Sequence, residues 1–349
     1  MTKKVALFNH KGGVSKTTTA FNLGWMLAKK AKKVVMVDAD PQCNLSGMVL
    51  GYKGPTDFEQ FYQTQPDRNL MAGLAPAFES RPVPIKAVDC IPVEGRDGLY
   101  LLPGHIRLAE YEVTLGIAQE LSGSIQTLQN LPGSISALLE RTAAALSADY
   151  VIIDMSPSLS SINQNLLMTS DFFIVPTSPD YFSVMAIDSL ATVFPRWRRW
   201  ASAIAKMLQS SIYPFPGGVP RFLGIIVQKY RPRGGGPSTA FEKWIEEIEN
   251  TVSSKLLPAM EKNGMLLADE AYQNQGVKPT YCLASIPDFN SLIAKSQEKQ
   301  TPVFALTPEQ IDQAGVVLER TIKSRDDFDA IFSQLADKVI GLTTYATGN

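Results

Sequence analysis

The stretch Lys11-Gly12-Gly13-Val14-Ser15-Lys16-Thr17-Thr18 decides the fold class, because it joins an apolar run at residues 5–8 to a helical pattern at 17–30. Glycines in such a turn let backbone N–H groups point inward and contact phosphate oxygens. The N-terminus of the following helix adds partial positive charge at the same place. Lys16 is therefore predicted to neutralise nucleotide phosphates, and the Thr17 hydroxyl is predicted to bind Mg²⁺.

This stretch, called the phosphate loop below, departs from the common template GxxxxGK followed by Ser or Thr. Ser15 stands where a glycine is usual, and the first glycine position falls on Asn9 or His10. A β-carbon at Ser15 is tolerated if the backbone keeps a negative φ and crowds the loop otherwise. A plain glycine-rich turn is the alternative interpretation. The departure bears on nucleotide affinity and turnover, and not on the fold.

Short apolar runs alternate with amphipathic stretches along the rest of the chain. The runs are continuous in apolar residues, which is typical of a parallel sheet covered on both faces. The fold class is therefore predicted as α/β, with a doubly wound, mostly parallel sheet, helices on both faces, and insertions. The predicted strands are residues 5–8, 34–37, 99–102, 150–153, 172–175, 222–227 and 281–286, and the predicted helices include 17–30 and 134–146.

No clean linker and no internal repeat divide the sequence, so we expect one domain over residues 1–349. Residues 52–98 are rich in Pro, Gly and polar residues, and we expect an irregular insertion there. Residues 322–345 predict a C-terminal helix that packs on the domain. A membrane-bound amphipathic helix is the alternative, which its acidic polar face disfavours. Its apolar stripe consists of Phe328, Ile331, Phe332, Leu335, Val339 and Ile340.

Composition limits the class of protein further. The 349 residues carry 33 Lys and Arg against 34 Asp and Glu, so a uniformly basic nucleic-acid coat is disfavoured while a local basic patch is allowed. The three cysteines, Cys43, Cys90 and Cys282, form no CxxC pair, which disfavours a zinc knuckle or a disulfide framework. No run approaches the roughly 20 apolar residues of a spanning helix. We expect a cytoplasmic protein without a membrane partner.

Two further motifs accompany the phosphate loop. Val35 to Gln42 contains Asp38-Ala39-Asp40-Pro41-Gln42 at the end of a predicted strand, and alternation points Asp38 and Asp40 to one side. Tyr150 to Ser158 is an apolar strand that ends on Asp154. The alternative for each of these carboxylates is a helix cap or a loop position. Late in the chain, residues 224–230 and 284–287 end two more apolar runs.

Together these residues resemble the ParA/MinD family of P-loop ATPases. Lys11 matches the extra lysine of the deviant Walker motif, and the other segments are similar to the family's DxDPQ motif, its Walker B segment and its adenine-binding strand ends. The resemblance covers roughly residues 4–290 and does not include 52–98. It implies an ATPase that uses ATP and Mg²⁺, dimerises on ATP, and acts as a switch in plasmid or chromosome partition or in cargo positioning in bacteria.

The resemblance also implies roles for individual residues. Lys11 would cross a dimer interface to the partner's nucleotide, with an exposed loop lysine as the alternative. Asp40 would orient the attacking water, and Asp38, Asp154 and Thr17 would form the Mg²⁺ shell. The expected catalytic residues are Lys11, Lys16 and Asp40, and the expected nucleotide ligands are Gly12, Gly13, Val14, Ser15, Lys16, Thr17, Thr18, Gln228 and Pro287. Gln228 replaces the Asn that is frequent at the adenine position but keeps an amide.

Many family members bind DNA non-specifically as ATP dimers and are released by an adaptor protein. A ParB-like or other adaptor that stimulates hydrolysis is thus expected, with nucleoid association if DNA is bound. A solvated helix face with core tryptophans is the alternative for the basic residues. Two other functions stay open, an ATP switch in a regulatory or phage-defence complex and a nucleotide-binding scaffold with little turnover. The candidate DNA-binding residues are Arg196, Arg198, Arg199, Lys229, Arg231 and Arg233, with Trp197 and Trp200 beside the first three.

Overall fold

The computed structural model describes residues 2–121, 124–230, 232–233, 236–237 and 239–347. The strands are β1 (Lys3–Leu7), β2 (Val34–Ala39), β3 (Ile91–Pro92), β4 (Leu99–Leu102), β5 (Tyr150–Met155), β6 (Phe172–Thr177), β7 (Arg221–Tyr230), β8 (Pro232–Arg233), β9 (Gly236–Pro237) and β10 (Cys282–Pro287). The α-helices are α1 (Lys16–Lys29), α2 (Asn44–Leu50), α3 (Pro55–Thr64), α4 (Leu70–Phe78), α5 (Ala109–Leu121), α6 (Leu131–Ala145), α7 (Ser161–Thr169), α8 (Tyr181–Met207), α9 (Thr239–Thr251), α10 (Leu257–Lys262), α11 (Asp269–Asn274), α12 (Ser291–Glu298), α13 (Pro308–Ile311) and α14 (Gly315–Thr347).

One sheet forms the centre of the molecule. Within the described ranges it contains eight strands in the order β10-β7-β6-β1-β5-β2-β4-β3. These strands pair in parallel, except that β3 runs antiparallel to β4. The strands β8 and β9 form a separate antiparallel ribbon. The sheet and the helices around it confirm the predicted α/β class with a mostly parallel sheet.

The phosphate loop lies at the centre of this sheet. β1 is hydrogen-bonded to β5 on one side and to β6 on the other, and the loop follows its carboxyl end directly. After β1 the chain moves to β2 on the β5 side, while β6, β7 and β10 extend the sheet on the other side. In parallel sheets, such a reversal of strand order opens a crevice at the carboxyl ends of the strands.

The predicted strands all occur, and their ends differ from the predicted ones by up to three residues. Every residue of β2, β5 and β6 is buried, as expected for strands that are covered on both faces. The largest difference is at β7, which continues to Tyr230, beyond the apolar run that ends at Val227. This extension carries the polar residues Gln228 and Lys229 to the edge of the crevice.

Residues 52–98 are not irregular throughout, contrary to the prediction. The helices α3 and α4 and the short strand β3 lie inside this segment. Pro55 occupies the start of α3, where its missing N–H costs nothing, and Phe58 and Phe61 are buried on one side of the helix. Asn69 caps α4 through a side-chain hydrogen bond. Proline and polar residues therefore mark helix starts here, and not an extended loop.

The C-terminal helix extends beyond its predicted range and packs on the core. α14 contacts β10 and α1, and its residues Phe328, Phe332, Leu335 and Val339 are buried. Their spacing of three or four residues places them on one face of the helix. Among the described helices, none is both long enough and apolar enough to cross a bilayer.

Candidate functional site

A cavity of about 1180 Å³ opens at the carboxyl end of β1. Residues 13–18 of the phosphate loop form one wall, and Asp40 lies on the side of β2. Lys229 and Asp288, from the ends of β7 and β10, line the opposite side. The cavity thus joins the phosphate loop to the strand ends that the sequence assigns to adenine.

The backbone of the phosphate loop is left-handed at two positions. Gly13 has φ +74°, and no heavy atom lies within 4 Å of the point where a β-carbon would stand. Ser15 also has a positive φ of 55° and precedes α1 without capping it by its side chain. The condition of a negative φ at Ser15 is therefore not met, because the turn into α1 places a left-handed residue there, a conformation that costs about 1–2 kcal/mol for a residue with a β-carbon.

The ammonium group of Lys16 lies across the loop. Its Nζ donates to the carbonyl oxygens of Asn9 at 3.0 Å and Lys11 at 3.2 Å, and the residue is buried. Burial lowers the pKa of Lys16, while the nearby charges of Asp154 and Asp40 act in the opposite direction. A cation with two carbonyl partners keeps a third N–H for an anion in the cavity.

Asp154 ends β5 beneath the phosphate loop. The residue is buried, neither carboxylate oxygen accepts a hydrogen bond of normal geometry, and the Thr17 hydroxyl is the uncharged polar group beside it. Burial, together with the nearby carboxylate of Asp38, raises the pKa of Asp154 to about 8 against the opposing effects of Thr17 and Lys16. An unpartnered buried carboxylate is costly, so it indicates a missing partner such as a cation or water.

These residues fit a Mg²⁺ ion that is bound with a nucleotide. No group of three or more His, Cys, Asp or Glu side chains that could hold a metal occurs among the described residues. Mg²⁺ usually keeps several waters and binds one or two protein oxygens together with substrate phosphates. The Thr17 hydroxyl and the orphaned oxygens of Asp154 match that pattern better than a complete protein cage would.

Asp38 has a different environment from the one expected. Its Oδ2 accepts hydrogen bonds from the Ser46 N–H and the Ser46 hydroxyl, each at 2.7 Å, and Oδ1 accepts from the Asp40 N–H at 3.3 Å. It is fully buried and does not belong to the lining of the cavity. Asp38 thus fixes the start of α2 to the end of β2, and its part in the Mg²⁺ shell stays a prediction.

Asp40 lies at the cavity wall. Its Oδ1 accepts the Gln42 N–H at 2.9 Å, which orients the carboxylate. Burial raises its pKa, while this hydrogen bond and the charge of Lys16 lower it. The structure therefore brings Asp40, Lys16 and Thr17 to one cavity, as the sequence predicted.

Comparison with known proteins identifies the family. Residues 2–203, more than half of the chain, match the family model described as an AAA domain. The chain is 31% identical over 190 residues to the sporulation initiation inhibitor protein Soj of Bacillus subtilis, covering 54% of this chain and 64% of Soj. It is 30% identical over 198 residues to the chromosome partitioning protein ParA of Caulobacter vibrioides, covering 56% and 62%. The chain belongs to the ParA/MinD family of ATPases.

Solved structures of this family share the fold over nearly the whole chain. The ParA protein of pNOB8 is 20% identical with a TM-score of 0.58, covering 99% of this chain and 100% of that one. The cell division ATPase MinD of Pyrococcus furiosus is 17% identical with a TM-score of 0.51, covering 98% and 100%. The chain spans less than two thirds of the length of Soj and of the Caulobacter ParA, so their biological roles do not transfer directly.

Lys11, which matches the signature lysine of the ParA/MinD family, binds two residues of its own chain. Its Nζ forms an ion pair with Asp180, the N-cap residue of α8, and donates to the Ser183 hydroxyl at 3.0 Å. Lys11 and Gly12 lie outside the cavity lining, although Gly12 is close to Pro157 of the Walker B segment. Sequence reasoning missed Asp180 and Ser183, because they lie 169 and 172 residues away and have no motif of their own.

The two predicted adenine residues do not line the cavity. Gln228 is fully buried, and its Nε2 donates to the Thr19 hydroxyl at 2.6 Å, while its Oε1 has no hydrogen-bond partner. Pro287 ends β10 next to Asp288, which does line the cavity. The amide of Gln228 therefore supports the first turns of α1 and keeps one acceptor unused.

The candidate DNA-binding residues whose side chains the structure describes lie in two different places, on α8 and at the end of β7. Arg196 and Arg199 are exposed on α8, and Arg198 is half-buried and bonded to the Ser202 hydroxyl. Lys229 instead lies at the nucleotide cavity. Arg231 and the side chain of Arg233 lie outside the part of the chain that the structure describes.

Of the two tryptophans beside these arginines, Trp197 lies in the protein interior and Trp200 is partly buried. Trp197 is 1% exposed and packs against Phe8 with ring centroids 5.5 Å apart. Trp200 donates its indole N–H to the Gln119 carbonyl at 3.2 Å. The Trp197 ring is therefore not free to stack on a nucleic-acid base.

The left-handed backbone at Ser15 gives a stability prediction. We expect Ser15→Gly to raise the free energy of unfolding by about 0.5–1 kcal/mol, since relief of strain exceeds the added entropy of the unfolded chain. Ala31→Gly is the matched control, because Ala31 has φ 60° in an exposed turn and should gain a similar amount. Urea denaturation measures both. A gain at Ala31 without one at Ser15 would contradict a left-handed Ser15.

Proposed function

We propose that this chain is a Mg²⁺-dependent ATP hydrolase that dimerises on ATP and acts as a ParA-like switch in DNA partition or cargo positioning. The observation that carries the proposal is the buried, unpartnered carboxylate of Asp154 beneath a phosphate loop that presents Lys16 and Thr17. A nucleotide with its metal ion would supply the charge that this arrangement lacks. Family membership supports ATP as that nucleotide.

Phosphoryl transfer to water requires charge neutralisation and a positioned nucleophile. Lys16 would neutralise the β- and γ-phosphates, and the Thr17 hydroxyl and Asp154 would hold Mg²⁺, the latter through water. The ion would neutralise charge that develops on the transferred phosphoryl group. Asp40, held by the Gln42 N–H at 2.9 Å, is the carboxylate at the cavity wall that would orient the attacking water.

The hydrolase proposal is tested by removing Asp40. We expect Asp40→Ala to lower the rate of phosphate release by about 100-fold or more, because the water loses its hydrogen-bond acceptor. Binding of MgATP, measured by calorimetry, should persist. Asp326→Ala, which removes an exposed carboxylate on α14, is the control and should release phosphate at the wild-type rate. Equal rates for Asp40→Ala and wild type would instead support a scaffold with little turnover.

Dimerisation is supported by exposed apolar side chains around Lys11. Tyr181, Phe182 and Met185 are exposed on the first turns of α8, directly beside the Asp180 that binds Lys11, and Leu159 is exposed in the loop after β5. Exposed apolar side chains that cluster mark interaction surfaces more often than singly exposed ones do. A second copy of the chain would cover them when it closes over the nucleotide.

The proposed dimer depends on Lys11. We expect Lys11→Ala to remain monomeric with MgATP, because the variant cannot reach the partner's phosphates, while the wild type doubles in mass. Light scattering with MgATP and MgADP measures this. Lys206→Ala, an exposed lysine on α8, should dimerise like the wild type. Unchanged dimers of Lys11→Ala would refute the assignment of Lys11.

DNA binding is part of the proposal, and the exposed Arg196 and Arg199 of α8 support it. Two copies would double these two charges, which lie three residues apart on α8, so a chain of net charge −1 can still present a local basic surface. Partition requires release as well as binding, which a ParB-like adaptor that stimulates hydrolysis would provide. The proposed location is the bacterial cytoplasm, on the nucleoid in the ATP state.

DNA binding is tested with the double variant Arg196→Ala/Arg199→Ala. We expect wild type to bind DNA with MgATP and not with MgADP, and the variant to bind about tenfold more weakly with a shallower salt dependence, because phosphate contacts are lost. Fluorescence anisotropy over a range of salt concentrations measures this. Arg320→Ala, exposed on α14, is the control. Hydrolysis without any DNA binding would favour an ATP switch in a protein complex.

A further inference from the structure

Lys229 occupies an irregular position in β7. The register of β7 with β10 shifts there, because Ile286 pairs with Gln228 while the next residue, Pro287, pairs with Tyr230. Lys229 is thus the extra residue of a β-bulge, and its φ is +62° although it carries a side chain. Bulges redirect a side chain and are frequent beside functional sites. A left-handed, non-glycine residue within a strand is a costly feature that the surrounding structure must enforce.

The bulge directs Lys229 to the phosphate loop. Its Nζ donates to the Gly13 carbonyl at 2.9 Å, although the two residues are 216 positions apart in the chain. Gly13 is itself left-handed with φ +74°, so this carbonyl belongs to the most freely rotating part of the loop. The contact ties the end of β7 to the loop that follows β1.

Fixing this carbonyl also fixes a neighbouring donor. In a trans peptide the C=O of one residue and the N–H of the next point in opposite directions, so the Gly13 carbonyl sets the direction of the Val14 N–H. Val14 lines the cavity and is one of the residues expected to donate to phosphate. A loop that is held in its binding conformation before the ligand arrives pays less entropy on binding.

The positive charge of Lys229 is not neutralised by an ion pair within the described part of the chain. Within the described ranges, no carboxylate lies in ion-pair distance of its Nζ, whereas Lys11 is paired with Asp180. Lys229 is exposed and lines the same cavity as Lys16 and Asp288. Its position lies between the phosphate loop and the strand ends that face the nucleoside.

We propose that Lys229 is a nucleotide-positioning residue, which holds the phosphate loop in its binding conformation through the Gly13 carbonyl and is not part of a DNA-binding surface. This inference rests on the proposed function, since it requires that ATP binds in the loop. Because Lys229 acts on the loop and not on the γ-phosphate, it contributes equally to the binding of ATP and ADP. Its contribution lies in binding and not in the chemical step.

The test uses the full chain with Lys229→Met, which keeps the aliphatic stem and the β-carbon but removes the ammonium group. We expect Kd for MgATP and for MgADP to rise by about tenfold, as for a lost hydrogen bond to a charged group. KM for ATP should rise in parallel while kcat stays within about twofold. Lys229→Arg should restore most of the affinity, and Lys206→Met on α8 should bind like the wild type.

A stability control separates positioning from folding. Met and Lys experience the same left-handed backbone, so the nucleotide-free Lys229→Met variant should stay folded and unfold only slightly below the wild-type temperature, as for the loss of one hydrogen bond. If the Lys229→Met variant binds nucleotide with wild-type affinity, this inference is overturned while the proposed function stands. If that variant also loses DNA binding at saturating ATP, the result supports a role of Lys229 in binding DNA. A wild-type protein that fails to bind MgATP would overturn the proposed function, and this inference with it.

Discussion

Two buried carboxylates lie side by side under the phosphate loop, because Asp38 of β2 and Asp154 of β5 are register partners in adjacent parallel strands. Like charges in a low-dielectric interior are destabilising unless hydrogen bonds or a cation compensate them. The chain compensates them unequally. Asp38 receives two hydrogen bonds from Ser46, whereas Asp154 has only the nearby charge of Lys16 and the hydroxyl of Thr17. This imbalance gives the loop a site that favours a bound cation.

The hydrogen bonds of Asp38 also organise one side of the cavity. Ser46 not only donates to Asp38 but also accepts the Gly104 N–H at 2.9 Å, so one hydroxyl joins β2, α2 and the end of β4. α2 leads into α3, and Met48 and Phe58 from these helices line the same cavity. The segment that follows α2 therefore forms part of the cavity wall.

The sequence predicted the parts of the site that are contiguous in the chain. The phosphate loop could be recognised because glycine, lysine and threonine occur at fixed spacing between a strand and a helix, and Asp40 and Asp154 because each follows a buried strand. The contacts of Lys11 with Asp180 and of Lys229 with Gly13 join residues 169 and 216 positions apart. No local pattern encodes such contacts, since they depend on how β6, β7 and α8 are placed around β1.

Continuous apolar runs and one phosphate-loop pattern were sufficient to determine the α/β class, the parallel sheet and the family, because burial on both faces and phosphate binding each impose a local composition. Tertiary structure decided the rest. Trp197 lies in the core, and Ser15 has a left-handed backbone. Lys229, which the sequence suggested as a DNA-binding residue, lines the cavity at the phosphate loop. The physical reason is that burial, backbone strain and charge environment depend on neighbours in space, which the linear order of residues does not specify.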